Sequence, residues 1–87
     1  MSSRLFIGNL APDATEPGIR AFLVARGLAV THVSIAVARA TGLSRGFGFA
    51  EFAGAAEADA AVDSLEGASI DGRALIVRHV EERARRF

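Results

Sequence analysis

Arg45, Phe47, Phe49 and Glu51 occupy every second position of the stretch Arg45-Gly46-Phe47-Gly48-Phe49-Ala50-Glu51-Phe52. Alternate residues of a strand share a face, so these four should stand together, with Gly48, Ala50 and Phe52 on the reverse. Two aromatics between two charges make a poor core. They suit a wet surface that takes a flat, charged ligand, with planar groups on the rings and anionic groups against arginine. A nucleic-acid base stacked on an aromatic side chain contributes about 1–3 kcal/mol, and the guanidinium fork matches a phosphate. Phe52, by parity, belongs to the core.

A second stretch, Leu5-Phe6-Ile7-Gly8-Asn9-Leu10, lies about 40 residues upstream. Alternation places Leu5 and Ile7 inward and Arg4, Phe6 and Gly8 outward. The two stretches together resemble the paired motifs of the RNA-recognition motif family. The octapeptide fits the pattern basic, Gly, aromatic, Gly/Ala, Phe, aliphatic, any, aromatic. Its one departure is Ala50, where that pattern prefers a Val-like residue. The hexapeptide fits aliphatic, aromatic, aliphatic, any, Asn, Leu. The resemblance covers roughly residues 4–80. It implies that Phe6 and Phe47 stack on two successive bases, that Phe49 sits near their sugars, and that Arg45 pairs with a phosphate. Arg4, Arg39 and Arg78 are further candidates for phosphate contacts. Asn9 is expected to satisfy the backbone of its own loop.

These residues need a scaffold, and the rest of the chain supplies one. After a first strand over residues 4–10, residues 16–26 read as a helix. Thr15 is its N-cap, Pro17 falls in its first turn and Gly27 follows its end. Ile19, Phe22 and Leu23 form its apolar stripe. Val30 to Ala38 read as a strand with Val33, Ile35 and Val37 inward and His32, Ser34 and Ala36 outward. A turn over residues 39–44, long enough to reach over a ligand, leads into the octapeptide strand. Residues 55–66 read as a second helix with Ala58, Ala61, Val62 and Leu65 inward. Asp71-Gly72 signals a tight turn into a last strand, Ala74 to Arg78, with Ala74, Ile76 and Arg78 outward.

The order strand-helix-strand-strand-helix-strand is the split βαβ arrangement. The expected fold is therefore α+β, a ferredoxin-like βαββαβ two-layer sandwich. Right-handed crossovers put both helices on one face of a four-stranded antiparallel sheet. The other face is left open, and that is where alternation places Phe6, Phe47 and Phe49. In the family resembled, the first and third strands are central neighbours, which would bring the three rings together.

Composition bounds the alternatives. The chain has 87 residues and no cysteine, room for one domain over 1–87 and none for a disulfide or thiolate metal site. No stretch approaches the roughly 20 apolar residues of a membrane span. A cytoplasmic, monomeric domain that needs neither cofactor nor metal is expected. His32 and His79 have no partners at ligand spacing, and no nucleophile with an oriented base is present, so an enzyme is not expected. Formal net charge is zero, and lysine is absent. Residues 1–50 hold five Arg and two acids (+3), and residues 51–87 hold five Arg and eight acids (−3). A neutral chain with the small Ser34 and Ala36 on its flank should grip nucleic acid only modestly. Residues 81–87 either dock on the sheet, with Ile76 receiving Val80, Ala84 and Phe87, or end as solvated arginines.

The expected activity is binding of single-stranded RNA by base stacking, with low sequence specificity, in a small bacterial protein. Single-stranded DNA is a second candidate ligand, and a protein-interaction module on the same fold is the leading rival.

Overall fold

A computed structural model of the protein describes residues 3–80. The elements are β1 (Arg4–Gly8), α1 (Glu16–Ala25), β2 (Val30–Val37), β3 (Ser44–Phe52), α2 (Ala55–Leu65), β4 (Ser69–Ile70), β5 (Arg73–Ala74) and β6 (Ile76–His79). Four strands form one sheet in the order β2-β3-β1-β6, and every neighbouring pair is antiparallel. Leu5, Ile7, Val33, Ile35, Ala50 and Phe52 from the sheet meet Ile19 and Leu23 of α1 and Ala58, Ala61 and Leu65 of α2 in one buried cluster. Both helices therefore cover the same face of the sheet. The expected ferredoxin-like sandwich is the observed fold.

The helix ends follow the sequence signals. Thr15 Oγ1 accepts a hydrogen bond from the Gly18 N–H at 3.1 Å, which satisfies one of the orphan donors of the first turn. Gly27 takes φ +77° after the end of α1, and the Leu28 N–H donates back to the Leu23 carbonyl at 3.2 Å. Arg26 then ties the two helices together. Its guanidinium donates to the Ser64 carbonyl at 2.8 Å near the end of α2, where carbonyls lack helical partners.

Helix α1 also serves the sheet edge. β2 is an outer strand, so alternate amides and carbonyls point away from β3. Glu16 Oε2 accepts from the Ile35 N–H at 3.1 Å, and Arg20 reaches the Thr31 carbonyl at 3.4 Å. The two side chains lie four residues apart on one helix face. Glu16→Ala should lower the unfolding free energy by about 1 kcal/mol, measured by urea denaturation.

Ile35 faces Gly48 across β2 and β3. Because the Ile35 N–H is directed to Glu16, this is a narrow, non-hydrogen-bonded pair. A Cβ on residue 48 would collide with the Ser34 carbonyl oxygen and lie 3.0 Å from Ile35 Cα. Only glycine allows the strands to approach this closely.

Three expectations about elements need correction. The last sheet strand is Ile76–His79, not Ala74–Arg78. Asp71 and Gly72, at φ +54° and +78°, turn a separate hairpin of β4 and β5. Its backbone is held away from the sheet, with Leu75 N–H donating to the Ala68 carbonyl at 3.0 Å and Asn9 taking the Ala74 carbonyl at 2.7 Å. The first strand ends at Gly8, because Asn9 adopts φ +64°. Val37 is not a core residue; it is 51% exposed, near exposed Leu43. It lies past an irregularity between the pairs Ile35–Gly48 and Val37–Ser44, beyond the reach of the core. Residues 81–87, read above as a tail that might dock on the sheet, lie outside the described residues.

Candidate nucleic-acid interface

The outward residues of the sheet form rows across the strands. Pairing aligns Ser34 with Phe49, Phe49 with Phe6, and Phe6 with Arg78. One row further along, Phe47 faces Gly8 and Gly8 faces Ile76. On the other side, His32 faces Glu51 and Glu51 faces Arg4. The open face thus runs from an apolar end at Ile76 and Phe47 to a charged end at Arg4 and Glu51.

The three rings touch one another. Phe6 and Phe47 have centroids 5.8 Å apart with planes inclined by 27°. Phe6 meets Phe49 edge-on at 5.9 Å, and Phe47 meets Phe49 edge-on at 6.2 Å. None of the three belongs to the core or to the apolar residues packed against it. All three are half-buried, in contact with one another. Phe52, as parity required, is in the core at 4% exposure.

The arginines separate into two kinds. The Arg4 guanidinium carbon lies 4.7 Å from the Phe49 ring centroid, and its Nε is 3.9 Å from Glu51 Oε2. A cation over a ring at an accessible site contributes about 0.5–1 kcal/mol, so Arg4 fixes the Phe49 ring, and Glu51 offsets its charge. Arg78 stands beside Phe6 and is exposed. Arg45 is exposed as well, but Gly46 beside it takes φ +97°. Three residues of β3 oppose one of β2 at this point, a bulge. The alternation that groups Phe47 with Phe49 therefore stops short of Arg45. Arg39 is exposed in the segment between β2 and β3, apart from the aligned rows.

Asn9 supports the site from its rim, donating to the Ala74 carbonyl and accepting from Arg73 at 3.2 Å. The contacts of two outward residues are not legible in the sequence. Glu51 was placed on the outward face, but its pairing with Arg4 depends on the β1–β3 register. Gly8 is buried on the open face of the sheet, which no alternation pattern reveals. Among the described residues, no group of three or more His, Cys, Asp or Glu is placed to hold a metal ion. His79 instead pairs with Asp59 of α2 at 2.9 Å. No helix among the described residues is long and apolar enough to cross a membrane.

A two-layer sandwich with aromatic residues of β1 and β3 on its open face defines a class of small α+β binding domains. The chain belongs to the RNA recognition motif family, whose pattern matches residues 5–76. It is 36% identical over 85 residues to the 31 kDa chloroplastic ribonucleoprotein of Nicotiana plumbaginifolia, covering 98% of this chain and 29% of that one. The chain thus spans under a third of that relative's length. It is 40% identical over 79 residues to RbpB of Nostoc sp., covering 91% of this chain and 76% of that protein. Among solved structures it superimposes on the RNA-binding protein PG1 with a TM-score of 0.81 at 35% identity, covering 94% of this chain and 98% of that one. The Rna15 domain solved with bound GU RNA gives a TM-score of 0.79 at 25% identity, covering 94% of this chain and 86% of that one.

Proposed function

We propose that this domain binds single-stranded RNA on the open face of its sheet, stacking two successive bases on Phe6 and Phe47. The carrying observation is the cluster of three phenylalanine rings within 6.2 Å of one another on the face that no helix covers. Paired strands bury their base faces, so an aromatic surface of this kind favours unpaired nucleotides. The Rna15 domain, similar in fold and solved with GU RNA, supports the reading.

Phe49, held by Arg4, contributes its ring beside the bases and meets their sugars. Arg78, next to Phe6, and Arg45, at the bulge, pair with phosphates. Arg39 reaches the strand from the β2–β3 segment. Arg4 contributes less, because Glu51 already shares its charge. Zero net charge and small flanking residues set the affinity in the micromolar range or weaker. The domain acts by binding and not by catalysis, as a monomer, in the cytoplasm.

The test is titration of a degenerate single-stranded RNA octamer, followed by NMR, at several salt concentrations. Shifts should centre on β1 and β3. With about three phosphates paired, the log–log salt slope should be near −2. Shifts confined to the helices would favour a protein-docking role instead. Arg78→Ala should make the slope shallower by about 0.7 and weaken all sequences alike. A DNA octamer run in parallel decides whether the 2′-hydroxyl is sensed; equal affinity marks a general single-strand binder.

A further inference from the structure

The two outer strands of the sheet differ in what covers them. On β2, side chains of α1 reach the Ile35 amide and the Thr31 carbonyl. β6 pairs with β1 alone. The Val80 N–H donates to the Arg4 carbonyl at 3.0 Å, and backbone groups of successive residues point to alternate sides of a strand. Arg78 and Ile76 therefore also turn theirs to β1, whereas Val77 and His79 turn theirs outward. Among the described residues, nothing donates to or accepts from those outward groups.

A groove runs beside this edge on the helix side of the sheet. Val62, Leu75 and Val77 line it, each half-buried, with Glu66 and Gly67 at the end of α2. Asp59, Val62 and Glu66 are spaced i, i+3 and i+7, which makes them one stripe of the helix surface. That stripe faces β6, because Asp59 lies 2.9 Å from His79 and both Val62 and Glu66 share the groove with Val77. Asp59 is engaged by His79. Glu66 is exposed and has no ion-pair partner among the described residues.

We propose that β6 and this groove take an extended segment of a partner protein, added as a further strand and carrying a basic and an aliphatic side chain two residues apart. In strand addition, backbone hydrogen bonds supply affinity and alternate side chains supply the choice of partner. Side chains two residues apart stand about 7 Å from each other on one face. The aliphatic one covers Val62, Leu75 and Val77, and the basic one meets Glu66. A second copy of this chain suits the site poorly. Two β6 strands paired antiparallel would set two acidic α2 stripes across one seam, on the same face of the joined sheet. The site lies away from the open face, so it stands apart from the RNA-binding reading.

The probe is the blocked peptide Arg-Thr-Val-Thr-Arg-Thr, titrated into the full isotope-labelled chain. Amide shifts should centre on Val77, His79, Val62 and Glu66 and leave Phe6, Phe47 and Phe49 in place. The Val77 and His79 amides should exchange quickly in the free protein and about five-fold more slowly with peptide bound. N-methylation of the peptide's valine, whose N–H would face β6, should weaken binding about ten-fold. Glu66→Arg should fold as well as wild type, since a cation suits a helix C-terminus. It should weaken the arginine peptide about five-fold and strengthen its glutamate counterpart by a similar factor. No binding at about 1 mM peptide, shifts on the open face, or indifference to N-methylation would each overturn the proposal. So would an unchanged peptide preference in Glu66→Arg. Slow exchange of the Val77 and His79 amides in the free chain would overturn it too, because the edge would then be covered already, by residues 81–87 or by a second copy.

Discussion

Phe47→Ala should weaken binding of a short single-stranded RNA by about 10- to 100-fold, the value of one base–aromatic stack. Phe47 contacts both other rings, with Phe6 inclined by 27° at 5.8 Å and Phe49 edge-on at 6.2 Å. Its removal takes away the face beneath one base and also the neighbour that steadies Phe6. The fold should survive, because Phe47 is not packed against the core. The stability lost is that of its ring pairs, about 0.5–1.5 kcal/mol each, out of roughly 5–15 kcal/mol for a domain. Fluorescence anisotropy with a labelled octamer, beside a thermal melt, separates the two effects. An affinity within two-fold of wild type would remove Phe47 from the binding surface.

Gly48→Ala should do the opposite, costing stability first. Here the methyl group meets the backbone of β2, the Ser34 carbonyl and Ile35 Cα, and neither can swing aside. Relief requires β2 and β3 to separate at a narrow pair, which also disturbs buried Ile35 and Ala50. Overpacking of this severity should cost about 3 kcal/mol, lowering the melting midpoint by about 10–20 °C in a domain of this size. Differential scanning calorimetry is the measurement. A shift of less than about 3 °C would mean that the strands yield more easily than their geometry implies. Gly8 and Gly48 lie on neighbouring strands and on opposite faces of the sheet, and a methyl group would meet the Phe6 ring at the first and the backbone of β2 at the second.

The same contrast explains what the chain revealed in advance. Alternation placed Phe6, Phe47 and Phe49 on one face and Phe52 in the core, because a period of two survives any choice of neighbours. Thr15 and Gly27 marked the ends of α1 through local chemistry. Asp71-Gly72 announced a turn, but whether its strands join the main sheet depends on Asn9 and Ala68, far away in sequence. Val37 kept the apolar pattern of β2 but lay beyond the core. Arg45 shared the parity of Phe47 until the bulge at Gly46 interrupted it, and a positive φ at one glycine leaves no trace in residue types. Arg4 reads from the sequence as a candidate phosphate contact because its partners, Glu51 and the face of Phe49, belong to another strand.

One of the sheet's outer edges has a consequence for solutions at high concentration. Growth of a sheet from chain to chain requires that each molecule offer two unpaired edges, one to receive and one to donate. Glu16 and Arg20 already occupy the Ile35 amide and the Thr31 carbonyl of β2. A second molecule pairing at β6 would meet, on the opposite edge, a strand with two of its outward groups already engaged, which disfavours extension into a fibre.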